Sequence, residues 1–133
     1  MQKITTFLMF EGQAEEAMNF YISLFNDSAI TSMMRYGPNE MGAEGSVMHA
    51  TFTLNGQTFM CIDSHVQHAF TFTPAISLYV TCETEPEIDK LFAKLSEGGE
   101  IMMPLDRYPF SKKFGWLADK FGVSWQLTLA ASE

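Results

Sequence analysis

Positive charge is scarce in this chain: eight Lys and Arg against sixteen Asp and Glu leave a formal net charge of −8 over 133 residues. Nucleic acids and anionic lipid surfaces are bound through clustered cations, so neither is an expected partner. Arg107, Lys112 and Lys113 gather as a basic group, and a short run of this kind reads first as a solvated face. Cysteine is equally sparse. Cys61 and Cys82 lack C-x-x-C spacing and sit in strand-like runs, where a free thiol behaves as a small buried hydrophobe, so a reducing, cytoplasmic setting is expected. No stretch approaches the roughly 20 apolar residues of a membrane-spanning helix, and no basic region followed by an apolar core marks the first residues for export. A Walker loop, a Rossmann glycine fingerprint and a Ser-His-Asp order are all missing, which removes the common phosphate-cradling and nucleophilic designs.

What is present is a globular composition, 47% apolar and 18% charged, of a length that fits one domain. Lys3 to Phe10 reads as a strand. Ala14, Ala17, Met18, Tyr21, Ile22 and Phe25 then follow helical spacing up to about Asn26, with Gly12 as the expected N-cap and Glu15 and Glu16 in the first turn. Three strands follow, Ala29 to Tyr36, Ser46 to Leu54 and Gln57 to Asp63, the last two joined by a tight Asn55-Gly56 turn. The second half repeats the order. A strand from Ala75 to Cys82 leads to a helix from about Glu85 to Leu95, and strands follow at Glu100 to Met103, Lys113 to Ala118 and Ser124 to Leu129. Thr84 and Glu87 make a capping box around Pro86, Ile88, Leu91, Phe92 and Leu95 form the stripe, and Gly98 ends the helix. Ser64 to Pro74, with His65, His68 and apolar anchors, reads as a covered connection.

Two apolar strands meet across Asp119-Lys120-Phe121-Gly122 between Phe114 and Leu127. With the helix Gln13 to Tyr21 and the second helix ending Leu95-Ser96-Glu97-Gly98-Gly99, this pattern resembles the vicinal-oxygen-chelate superfamily of glyoxalases, bleomycin resistance proteins and dioxygenases. Within it the chain is similar to the PhnB-like branch, labelled 3-demethylubiquinone-9 3-methyltransferase-like. The resemblance implies an α+β fold of two βαβββ modules, about 1–64 and 75–130 around the connection 65–74, forming one domain. It also implies a curved, cup-shaped mixed sheet completed as a homodimer. The methyltransferase label implies no mechanism, because a chain this small lacks the doubly wound sheet and glycine-rich strand-to-helix turn that usually hold S-adenosylmethionine.

Strand alternation assigns faces. Thr5, Phe7 and Met9 form one set of the first strand, and His49, Thr51 and Thr53 should oppose Met48, Ala50, Phe52 and Leu54, which pack under a helix with Met18 and Met60. In the second half, Ser77, Tyr79 and Thr81 should face the cup, away from Ile76, Leu78, Val80 and Cys82. Metal-dependent relatives hold a divalent ion at positions that fall here on Thr5, the Cys61 to Asp63 segment, Ser77 and Gln126. Hydroxyls are weak ligands beside imidazole and carboxylate, so no metal or other cofactor is expected, with a divalent ion kept as the alternative. An improvised site from His65 and His68 on one helical turn, with Asp63 or Cys61, is a weaker variant of that alternative.

The expected function is therefore binding of a small molecule in an apolar cup. Phe7, Met9, Tyr79 and Trp116 shape it, and Thr5, His49, Asp63, Ser77 and Gln126 supply its polar contacts. Whether any reaction is catalysed is left open. One alternative is a divalent-metal-dependent lyase, isomerase or dioxygenase of the same fold, with His49 or Asp63 as ligand or base. Another is a structural or interaction dimer with a filled cavity.

Overall fold

The computed structural model describes residues 2–131 and divides the chain into two compact units, Met1–Ala69 and Phe70–Glu133. In the first, β1 (Thr6–Phe10), α1 (Ala14–Ile22), β2 (Ala29–Arg35), β3 (Val47–Leu54) and β4 (Gln57–Asp63) form a four-stranded sheet in the order β1-β4-β3-β2. β1 runs parallel to β4, and the other pairs are antiparallel. The second unit repeats this with β5 (Leu78–Cys82), α2 (Glu85–Ser96), β6 (Glu100–Tyr108), β7 (Ser111–Ala118) and β8 (Ser124–Leu129), in the order β5-β8-β7-β6. Each unit is thus one βαβββ module with its helix across one sheet face.

In the first unit α1 buries Ala14, Ala17, Met18 and Tyr21 against Leu8, Phe10, Ala50, Phe52, Leu54 and Cys61. Helical spacing on one side meets two-residue alternation on the other, which is why both patterns were legible. The start of α1 differs from expectation. Gly12 stands before the helix with φ 106°, in the left-handed region glycine favours, and the N-cap is Gln13, whose side chain caps nothing. The orphan amides are met from across the sheet: Asp63 Oδ1 accepts from Gly12 N at 2.8 Å and Ala14 N at 2.9 Å, while Oδ2 accepts from Val47 N at 3.0 Å. α1 also stops at Ile22 rather than near Asn26.

β3 departs from simple alternation. Opposite Met34 and Arg35 its register jumps from His49 to Val47, a bulge that turns Val47 into the core and leaves Met48 half-buried instead of under the helix. Met60 also lies off the helix face, because β4 points Cys61 and Asp63 inward on either side of Ile62. The Asn55-Gly56 turn forms as expected, with φ of 52° and 79° at its two residues.

In the second unit Thr84 accepts from Glu87 N at 3.3 Å, and Glu87 Oε1 reaches back to Glu83 N at 2.8 Å. Ile88, Leu91, Phe92 and Leu95 are buried, as the stripe requires. β6 runs past Met103 to Tyr108, through Pro104; it is an edge strand, where a missing N–H is tolerated, and three register shifts interrupt its pairing with β7. Ile76, expected with the apolar set, precedes β5 and is exposed. Residues 64–77 contain no helix or strand, so His65 and His68 do not share a helical turn, and Val66 and Phe70 are exposed rather than covered. Among the described residues no helix is long and apolar enough to cross a membrane.

Cys61 and Cys82 are fully buried, and burial pushes both thiols up to about 12, with Asp63 and Glu87 adding in the same direction. A thiol with so little thiolate at neutral pH is a poor nucleophile. Native protein at pH 8 is expected to resist an aromatic disulfide reagent for hours, whereas two thiols per chain should react at once in denaturant. Rapid native labelling would contradict the buried placement of both strands.

Candidate functional site

In the second unit the face turned away from α2 carries a row across three strands: Tyr79 on β5 pairs with Gln126 on β8, which pairs with Trp116 on β7. Alternation sends their neighbours Trp125, Leu127 and Leu117 into the core. At one end of the row the polar groups are connected. Trp116 Nε1 donates to Ser124 Oγ at 2.9 Å, Ser124 Oγ lies 2.7 Å from Ser77 Oγ, and Gln126 Nε2 donates to Ser77 Oγ at 3.2 Å. Three residues named from sequence, Ser77, Trp116 and Gln126, therefore meet around a fourth, Ser124, which sequence reasoning missed. A serine opening a strand carries no signal of its own; its burial is set by the pairing of β7 with β8.

Beyond Tyr79 the same face meets the β6–β7 hairpin and encloses an open cavity of ≈ 620 Å³, lined by Tyr79, Thr81 and Thr128 from the sheet and residues 107–112 from the hairpin. Three of its lining rings, Tyr79, Tyr108 and Phe110, gather around the buried Phe114, whose ring is 4.9 Å from Phe110, 5.8 Å from Tyr108 and 6.4 Å from Tyr79. The basic group seen in the sequence is split by strand alternation. Arg107 and Lys112 line this cavity, whereas Lys113 turns to the helix side and pairs with Asp89 of α2 at 2.6 Å. That pairing raises the Lys113 ammonium above its ordinary value, chiefly through the hydrogen bond to Asp89.

In the first unit the face away from α1 holds Phe7, Met60 and Thr51 in one row and Met9 beside Ile62 in the next. Phe7 is 50% exposed, a large apolar side chain open to solvent in the described chain. His49 is half-buried, with its ring 6.5 Å from that of Phe7. Asp63 is not on this face. It is 3% exposed beneath α1 with both oxygens engaged by backbone amides, which removes it from any ligand on the open side.

These placements test the family's metal positions. Thr5 offers a hydroxyl, and within the Cys61 to Asp63 segment the residue that alternation turns to the open face is Ile62, which has no donor atom. Ser77 and Gln126 are hydrogen-bonded to each other. Such a set does not fit a divalent transition-metal ion, which favours imidazole, carboxylate or thiolate ligands. His65 lies against Tyr36 and His68 against Ser64, so they form no alternative ligand pair. Among the described residues no group of three or more His, Cys, Asp or Glu side chains is placed to hold a metal.

A sequence profile of the family described as 3-demethylubiquinone-9 3-methyltransferase matches residues 2–128. The chain belongs to that family. No curated protein matches it. Among solved structures, a Bacillus cereus protein described as a putative 3-demethylubiquinone-9 3-methyltransferase, PhnB protein, is 74% identical, covers 97% of this chain and 100% of its own, and superposes with a TM-score of 0.96. Protein PA1353 from Pseudomonas aeruginosa is 25% identical over 99% of this chain and 100% of its own, with a TM-score of 0.85. The fosfomycin resistance protein FosX of Listeria monocytogenes is 10% identical over 98% of this chain and 94% of its own, at a TM-score of 0.66, a likeness of fold. The PhnB-like family and the vicinal-oxygen-chelate fold of paired βαβββ modules are thereby established, and its members' shared description names no residue of this site.

Proposed function

We propose that the chain binds a small, largely apolar molecule on the open face of the second sheet, with Tyr79 and Trp116 as its apolar platform and Ser77 and Gln126 as its polar contacts, and without a tightly held metal. The observation that carries this reading is the connected set Ser77–Ser124–Trp116–Gln126, polar groups held in fixed positions beside exposed aromatic surface, which is the composition of a small-ligand site. Phe7, Met9 and His49 offer a second apolar face with one polar group in the first unit. The reading extends to a homodimer in the cytoplasm, where Cys61 and Cys82 stay reduced.

Methyl transfer from S-adenosylmethionine has no support in the turn that would be needed for it. The amides of Gly12, just before α1, and Ala14, its first residue, are already held by Asp63, and that turn contains a single glycine. The metal-dependent enzyme is disfavoured by the donor set at Thr5, Ile62, Ser77 and Gln126.

Both parts of the reading are testable on the intact chain. Two tryptophans give two indole N–H resonances, Trp116 on the open face and Trp125 hydrogen-bonded in the core, a built-in probe and control. Titration with uncharged aryl alcohols and amides is expected to shift the Trp116 signal and leave Trp125 in place. Elemental mass spectrometry of protein dialysed without chelator should find no near-stoichiometric zinc, nickel, manganese or iron. A silent Trp116, or a stoichiometric ion, would overturn the corresponding half.

A further inference from the structure

The hydrogen bonds around Ser124 fix the direction of a proton, and that direction says what kind of ligand the site prefers. Ser124 is 2% exposed. Its oxygen accepts from Trp116 Nε1, and an indole nitrogen only donates, so the serine's own hydrogen must find an acceptor elsewhere. A buried hydroxyl left without one costs about 1–3 kcal/mol. Among the described residues the acceptor within reach is Ser77 Oγ at 2.7 Å. The proton between the two serines therefore belongs to Ser124.

Ser77 Oγ then accepts twice, from Ser124 and from Gln126 Nε2, which fills both of its lone pairs. Its own hydrogen is left to point away from both donors. Ser77 is half-buried on the open face, and among the described residues nothing accepts from it. Gln126 is in the complementary state. Its nitrogen is committed to Ser77, while its Oε1, on the same amide carbon, receives no hydrogen bond from a described residue. One outward donor and one outward acceptor thus stand side by side.

We propose that Ser77 O–H and Gln126 Oε1 act as a paired donor and acceptor that selects a ligand whose polar end carries an oxygen acceptor and an N–H donor on neighbouring atoms, as in a primary amide, a lactam or a urea. The proposal rests on the reading of this face as a ligand site. The ligand carbonyl accepts from Ser77, and the ligand N–H donates to Gln126 Oε1. A carboxylate or a pair of vicinal oxygens places an acceptor against Gln126 Oε1 instead, leaving two oxygens facing each other without a hydrogen, and the −8 net charge of the chain adds to the penalty for an anion. The two positions that correspond to metal-ligand strands in relatives are, in this chain, joined to each other and set to read an amide.

Three probes with one phenyl body separate the contributions: benzamide, acetophenone and benzoate, each titrated against the Trp116 indole resonance of the full chain. Benzamide is expected to bind at least about tenfold more tightly than either of the others, the equivalent of one additional satisfied hydrogen bond. In Gln126→Leu the preference of benzamide over acetophenone should fall to near one, since the acceptor for the ligand N–H is lost; the bond from Gln126 Nε2 to Ser77 goes with it, and that loss bears on both compounds alike. In Ser77→Ala both compounds should weaken alike by about tenfold, since both use the serine hydrogen. The Trp125 indole resonance, held in the core, reports that each variant remains folded. Equal binding of benzamide and acetophenone to the unmodified chain, or tighter binding of benzoate, would overturn the donor–acceptor assignment and leave the ligand-site reading intact. No response of Trp116 to any of the three would overturn both.

Discussion

Replacing Asp63 with Ala is expected to lower the unfolding free energy by about 3 kcal/mol, which for a chain of this size is roughly 10 °C in melting temperature. The carboxylate is 3% exposed and accepts from three backbone N–H groups, two at the start of α1 and one at the start of β3. Alanine leaves all three donors without their acceptor, those of Ala14 and Val47 in buried positions, and it also removes a negative charge from the positive end of the helix. Asp63→Asn separates these effects. It keeps one acceptor oxygen but turns an NH2 group toward an N–H, and an intermediate loss of stability is expected. Urea unfolding followed by circular dichroism reads both variants. If Asp63→Ala unfolds within 0.5 kcal/mol of the parent, a size ordinary for a surface substitution, the capping role is wrong.

Asp119→Ala is expected to cost a similar amount, about 3 kcal/mol, by a different route. Asp119 Oδ1 accepts from Phe121 N at 2.9 Å and Val123 N at 3.0 Å, and Oδ2 accepts from Trp125 Nε1 at 2.9 Å. Two of these bonds shape the turn between β7 and β8, and the third ties that turn to the largest fully buried side chain of the unit. Loss of the carboxylate should therefore move the Trp125 indole resonance and loosen the register that brings Ser124 and Gln126 to Trp116. Weaker ligand binding at Trp116 is expected alongside the lower stability. Trp125→Phe removes the indole donor together with part of the buried ring, and the combined variant should be less destabilised than the sum of the two single changes, because each already breaks the same bond. Strict additivity would show that the pair does not interact.

These two carboxylates mark where the sequence could be read and where it could not. α2 was legible because its start is written locally, with Thr84 and Glu87 three residues apart. The start of α1 was not, because its cap comes from Asp63, 51 residues along from Gly12. Alternation placed Phe7, Met9 and Tyr79 on the faces they occupy, since that rule needs only two-residue spacing, whereas Gln126 came from the family's metal register. Alternation failed at Met48, where a bulge inserts one residue; Asp63 was carried to the open side by the family's metal register, whereas alternation from Cys61 turns it inward. β6 was cut short at Pro104 because the sequence does not say that the strand lies at an edge. Ser124 stayed hidden because its role arises from pairing with β7 and from Ser77, 47 residues earlier.

The same edge strand has a consequence for how the chain behaves in company. An uninterrupted outer strand offers its free N–H and C=O groups as a template on which other chains can polymerise. β6 carries a proline with no N–H to offer and shifts its register three times along nine residues. An incoming strand finds no continuous ladder to extend, so the long rim of the second sheet is a built-in barrier to fibril growth.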